Sequence, residues 1–225
     1  MLRITDVVKN LLIINVLMYF GTLMLLGEPR QDIMHSLVNY PDAHHFMDWG
    51  MNILAMFYPT SDYFAPYQII THMFMHGSIS HLFFNMFAVF MFGPPLENLW
   101  GAKRFLFFYL FTGFGALILH LFVKYLELHY LGANPLPANV PVLGASGAVF
   151  GLLVGFGLNF PNTQLMLLFP PIPIRAKYFV AGYAVIELFL GLGNFNTGIA
   201  HFAHLGGALF GLLLILYWRK YGSRL

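Results

Sequence analysis

The sequence contains no cysteine, and only 9% of its 225 residues carry charge. The first absence excludes disulfide bonds and thiolate metal sites. The second excludes an ordinary water-facing surface, since soluble domains carry about 25% charged residues. The formal net charge of +2 is small and scattered, so there is no basic footprint for nucleic acid. What the chain has in plenty is apolar: 59% hydrophobic residues, with 25 Phe, 12 Tyr and 12 Met. A lipid bilayer is the solvent that suits this composition. The length allows one compact domain of several helices, taken as a single membrane domain over 1–225.

A membrane-spanning helix needs about 20 mostly apolar residues. Six segments are predicted, at about 7–26, 79–99, 105–125, 142–160, 178–192 and 198–218, the fifth extendable toward Ala176. The first is too long for a signal-peptide core and lacks a cleavage site, so it reads as a retained helix. Lys and Arg test the topology. Arg3, Lys9, Lys103, Arg104, Arg175, Lys177, Arg219, Lys220 and Arg224 fall on one side of a six-span arrangement, and Arg30 and Lys124 on the other. Both termini are therefore expected in the cytoplasm. The expected fold is an all-α polytopic membrane protein with six transmembrane helices. Its first loop, about 27–70, is long, and its HFMDWGMNILAMFY segment suits a helix lying in the membrane interface.

An ionisable side chain inside a membrane helix costs about 2.5–3.5 kcal/mol on insertion scales. The sequence places few there: His81 and Asn85 in the second span, with His72 and His76 just before it, then His120, Glu187, His201 and His204. Ser146 lies in Gly144-Ala145-Ser146-Gly147 at the start of the fourth. Each has a plain structural reading. A membrane serine often bonds its own backbone, and a histidine can satisfy a neighbouring carbonyl. Glu187 reads equally as a hydrogen-bond partner or a gating residue, and His120 and His201 carry no assigned role.

The combination says more than its parts. Ser146 opens a helix, where free backbone N–H groups favour developing negative charge. His204, His81 and Asn85 all fall at a similar depth on the same external side. The fourth span carries Gly147, Gly151 and Gly155 at four-residue intervals, and the sixth carries Ala203, Gly207 and Gly211. Such stripes let two backbones approach closely. His204 shares the face of Gly207 and Gly211, which fits a serine–histidine hydrogen bond.

These motifs resemble the rhomboid family of intramembrane serine proteases. The resemblance runs from about Tyr67 to Tyr217, through THMFMHGSISHLFFNM, GPPLENLWG, GASGAVFG and AHLGGALFG. It implies Ser146 as nucleophile and His204 as general base. It also implies oxyanion stabilisation by His81, Asn85 and the backbone N–H groups of Ser146 and Ala145. Gly144, Gly147 and Gly207 would support the site, and Phe150 would sit beside the His204 ring, where some members have Tyr. The fifth helix and the loop 193–197 would flank the substrate entrance. Tyr67-Gln68 departs from the Trp-Arg of many members, and Asn98-Leu99 lacks an Arg often seen there.

The chemistry expected is peptide hydrolysis in or near a transmembrane segment of a membrane-protein substrate. A serine needs a base within hydrogen-bond reach, and a neutral imidazole supplies one near pH 7. No carboxylate stands near His204 in sequence, so a dyad is expected, with packing orienting the ring. Neither cofactor nor metal is expected, and the partners are the bilayer and substrate helices. A bacterial cytoplasmic membrane is the expected location. The oligomeric state is not fixed by the sequence. Two alternatives remain open: a histidine-rich metal or haem protein using the His72/His76 and His201/His204 pairs, or an inactive rhomboid-like binding scaffold.

Overall fold

The computed structural model describes residues 3–26, 53–130, 140–166, 171–193 and 200–222. Six principal helices stand in it: α1 (Asp6–Leu26), α2 (Ile79–Trp100), α3 (Ala102–Tyr130), α4 (Ser146–Asn159), α5 (Ala176–Leu192) and α6 (His201–Tyr221). Among the described residues, α1, α2, α3 and α6 are long and apolar enough to cross a membrane by length and composition. α4 is apolar but only 14 residues long, and α5 has 17. Residues 27–52, including the first part of HFMDWGMNILAMFY, lie outside the described residues.

The chain divides into two compact units. One comprises 1–9, 87–120 and 146–225, and the other 10–86 and 121–145. In the first, small residues decide the packing. α4 lies directly on α6: Gly207 meets the Gly147 carbonyl, and a side chain on Gly211 would stand 3.2 Å from the Gly151 Cα. Gly147 and Gly151 back onto Ala116 and Thr112 of α3, and Gly206 onto Ala116 and Leu119. Backbones pressed together in this way replace the hydrophobic effect, which gives little drive between helices in lipid. Against Gly155, the next glycine of the α4 stripe, Trp100 closes the packing with Phe108 at 4.7 Å and Trp218 at 5.5 Å.

The same unit satisfies the start of α1 with a buried carboxylate. Glu97 accepts the Thr5 hydroxyl and the backbone N–H groups of Val7 (3.1 Å) and Val8 (3.0 Å). A helix N-terminus leaves its first N–H groups without intrahelical partners and favours negative charge. Glu97 supplies both needs from the far end of α2.

The second unit is held by Gln68, 1% exposed, in a helical turn Gln68–Thr71. Its Oε1 accepts from the N–H of Phe57 (3.3 Å) and Ala65 (3.1 Å). Its Nε2 donates to the carbonyls of Ile53 (3.1 Å) and Tyr63 (3.0 Å). The departure from Trp-Arg at Tyr67-Gln68 therefore leaves this part of the loop fully tied. Met56 and Val142 exchange both backbone hydrogen bonds, at 2.9 and 2.8 Å.

That bridge explains one difference from the sequence-based boundaries. The fourth helix begins at Ser146, not near 142. Val142 is held extended by Met56, and Gly144 takes φ +124°, a left-handed conformation that glycine alone adopts readily. A second difference is a short antiparallel hairpin, β1 (Gln164–Met166) and β2 (Pro173–Arg175), between α4 and α5. Each strand has three residues, too few for a period-2 pattern to register.

Candidate active site

Ser146 is the first residue of α4, half-buried, just after the tight turn at Gly144 and the fully buried Ala145. The left-handed glycine turns the chain sharply enough for the helix to start on the serine itself. The N–H groups of its first turn have no intrahelical acceptor, so they are available to an oxygen carrying negative charge.

His204 stands on α6 in the same unit. Its ring lies flat on Phe150, with centroids 4.2 Å apart and planes 10° from parallel. Phe150 is one helical turn after Ser146, on the same face of α4. The Phe150 ring is stacked on its other partner, Tyr183 of α5, at 5.1 Å and 11°. Gly147, next to Ser146, and Gly207, next but two to His204, form the backbone contact between the two helices. Ser146, Gly147, Phe150, His204 and Gly207 thus belong to one packed helix pair.

The structure gives Glu187 partners that sequence spacing did not reveal. Glu187 of α5 is buried at 4% exposure. Its Oε2 lies 2.6 Å from His201 Nδ1 and 3.1 Å from His204 Nδ1. The first contact is a formed hydrogen bond. In the second the nitrogen is within ion-pair reach, but its N–H is not aimed at the oxygen. No carboxylate is near His204 in sequence, which led to the expectation of a dyad, but one is near in space. A faint signal existed, since Glu187 is the one acidic residue of α5 and two histidines stand one turn apart on α6. The shared carboxylate also accounts for the His201/His204 spacing that the metal alternative relied on.

His81, Asn85, Gly144 and Ala145 belong to the second unit. Ser78 caps α2 by accepting the His81 N–H at 3.1 Å. Asn85, buried one turn later, donates Nδ2–H to the His81 carbonyl at 2.9 Å. The His81 ring meets His76 edge-on at 5.0 Å. His72 Nδ1 stands 2.8 Å from the Gln68 carbonyl, and the His72 carbonyl accepts the Gly144 N–H at 2.8 Å. The His motif before α2 thereby fixes the turn that precedes Ser146. Burial pushes the His76 imidazole down to about 3, with His81 adding to the effect, and burial lowers His72 as well. Both are neutral imidazoles near neutral pH. Loop residues 194–197, expected to flank an entrance, lie outside the described residues.

The apolar helices and their glycine-packed contacts define a helical membrane protein. A family described as Rhomboid domain matches residues 63–221, and the chain belongs to the rhomboid family, which includes serine intramembrane proteases. It is 29% identical over 204 residues to Rhomboid-like protein 11, chloroplastic, of Arabidopsis thaliana, covering 85% of this chain and 65% of that protein. It is 34% identical over 157 residues to Rhomboid protein 1, mitochondrial, of Saccharomyces cerevisiae, covering 68% of this chain and 42% of that protein. Against Rhomboid protease AarA of Providencia stuartii the figures are 29% over 154 residues, 63% and 52%. The chain thus spans 42 to 65% of the length of these relatives. Two of the three names place their proteins in a chloroplast or a mitochondrion, so the relatives do not support the expectation of a bacterial cytoplasmic membrane.

Proposed function

We propose that this chain is an intramembrane serine endopeptidase that hydrolyses a peptide bond in or near a transmembrane segment of another membrane protein. Ser146 attacks the carbonyl carbon and His204 takes the hydroxyl proton. His204 then returns that proton to the leaving amine, and water completes the cycle by hydrolysing the acyl-enzyme. His81, Asn85 and the N–H groups of Ser146 and Ala145 stabilise the oxyanion, where one donor typically contributes about 2.7–4 kcal/mol.

The observation that carries this reading is the stack of His204 on Phe150, one turn from Ser146 on the same helix face. It gives the base a fixed plane beside the helix that the serine opens. The glycine contact between Gly147 and Gly207 supports the short approach a proton transfer needs. The substrate's scissile stretch must leave its helix to expose a carbonyl, so residues of low helix propensity there favour cleavage.

All six principal helices cross the bilayer in this reading, with both termini in the cytoplasm. A helix of 14 residues such as α4 rises only about 21 Å. It therefore leaves Ser146 below the surface of a hydrocarbon core about 30 Å thick, in a dent open to water. The test is cleavage of a membrane-helix substrate by the purified protein in detergent. Cleavage by the wild type and none by Ser146→Ala supports the proposal. No cleavage by wild type shown to be folded contradicts it.

A further inference from the structure

We propose that Glu187 is the positioning carboxylate of His204, which extends the catalytic pair to a chain of three groups, Ser146, His204 and Glu187. The inference rests on the protease reading and adds to it a residue from a third helix. A single oxygen of Glu187 is shared between two imidazoles, at 2.6 Å from His201 Nδ1 and 3.1 Å from His204 Nδ1. An ionised carboxylate only accepts hydrogen bonds. Each contact is therefore productive when the histidine carries its hydrogen on Nδ1. For a neutral His204 that leaves the Nε2 lone pair free to receive the Ser146 proton.

α5 restrains His204 in two ways. The carboxylate oxygen stands 3.1 Å from the ring's Nδ1. Tyr183, one turn before Glu187, acts across the ring through the stack of Tyr183 on Phe150 and Phe150 on His204. Together the two contacts limit the freedom of the imidazole to tilt or flip.

The unequal distances define the working cycle. At rest the oxygen bonds His201 and stands slightly long and misaligned toward His204. Catalytic hydrogen bonds are often loose before substrate binds and tighten in the reacting complex. When the proton of Ser146 Oγ moves to His204 Nε2, the ring becomes an imidazolium with its Nδ1–H retained. The attraction of Glu187 for it rises at that moment. The proton then leaves from Nε2 to the departing amine, and the carboxylate is never protonated. His201 keeps the carboxylate from being buried alone in its resting state, a condition that would be costly.

Among the described residues, the ionisable groups facing Glu187 are His201 and His204 from α6 and Tyr183 from its own helix. α4, also packed on α5, contributes the Phe150 ring and no ionisable residue, and the β1–β2 hairpin, which also touches α5, brings Arg175 only to that helix's opposite, N-terminal end. A pH profile therefore reads few groups. The test uses the full chain in detergent with a cleavable membrane-helix substrate, comparing wild type, Glu187→Gln, Glu187→Asp and Ser146→Ala. Glu187→Gln should lower kcat about 100-fold, at the low end of acid–base contributions, with KM little changed. The acid limb of its pH–rate profile should move to lower pH, because the charge favouring imidazolium is gone. Glu187→Asp, one methylene shorter, should recover part of both. Wild-type kcat and an unmoved acid limb in Glu187→Gln, with Ser146→Ala silent, overturns the proposal and leaves the protease reading standing. A silent wild type strikes the protease reading instead. The tautomer of His204 in 15N-histidine-labelled wild type, read by NMR, decides the matter even if Glu187→Gln fails to fold or wild type is silent. Hydrogen on Nδ1 supports the hold of Glu187, and hydrogen on Nε2 alone overturns it.

Discussion

Gly207 rests against the carbonyl oxygen of Gly147, so close that a single added methyl would occupy the oxygen's place. The obstacle is backbone, which no rotamer change relieves. Gly207→Ala should therefore cost at least the about 1–3 kcal/mol typical of overpacking, lower the melting temperature in detergent, and abolish cleavage by separating α4 from α6. Gly21→Ala is the control, since a side chain there meets nothing within 4 Å. It should leave the melting temperature unchanged or slightly raised. Equal melting temperatures for the two variants would contradict the account of the helix contact.

The His204 ring depends on the Phe150 face. Aromatic pairs of this geometry contribute about 0.5–1.5 kcal/mol beyond area burial. Phe150→Ala should reduce cleavage about 10-fold or more, which corresponds to roughly 1.4 kcal/mol of barrier. Phe150→Tyr keeps the face and should stay within about threefold of wild type, or less than 1 kcal/mol. Steady-state kinetics on the two variants checks the order, and a Phe150→Ala enzyme as fast as Phe150→Tyr would count against the stack.

The sequence made the helix pair legible because its signal is local. Glycines at four-residue intervals in α4 and α6 state a close contact without knowledge of any other helix. The Ser146 motif was legible for the same reason. The partner of His204 was not. Glu187 reaches it only through the rotation of α5 about its own axis, and no spacing in the chain encodes that angle. The true start of α4 was hidden similarly, because Met56, far away in the chain, holds Val142 extended. Gln68 stood out in the sequence only as a departure from the family pattern, yet its side chain ties four backbone groups among the described residues of the first loop. A neutral amide can satisfy four backbone groups as long as they converge, and convergence is a property of the fold.

That convergence sets a stability prediction. Gln68→Ala leaves two carbonyls and two N–H groups, one of each buried and one of each part-buried, without the partner they have here. At about 1–3 kcal/mol for a buried group left unsatisfied, the loss should total several kcal/mol. The expected readout is a lower melting temperature with faster proteolytic nicking between residues 53 and 68. A conservative Gln68→Glu should fall between, since a carboxylate accepts but does not donate.

Acid should destabilise the second unit for a separate reason. His76, at its ordinary value when unfolded, is held down to about 3 when folded. Between those values the unfolded chain binds more protons than the folded one, so stability rises with pH across that interval. It is fully present above about 6.5 and lost as pH falls toward 3, at about 1.4 kcal/mol per pH unit. His72, lowered by burial, adds in the same direction. Melting temperature measured from pH 7 to pH 4 should fall steadily in wild type and less steeply in His76→Leu. Identical slopes would show that His76 does not titrate as its burial requires.

A fluorophosphonate probe, applied in parallel to wild type, Ser146→Ala and His204→Ala, tests the assignment of nucleophile and base most directly. Covalent label is expected on wild type alone, mapped by mass spectrometry to the peptide containing Ser146. Label on the Ser146→Ala protein, or on wild type at any other residue, would contradict that assignment.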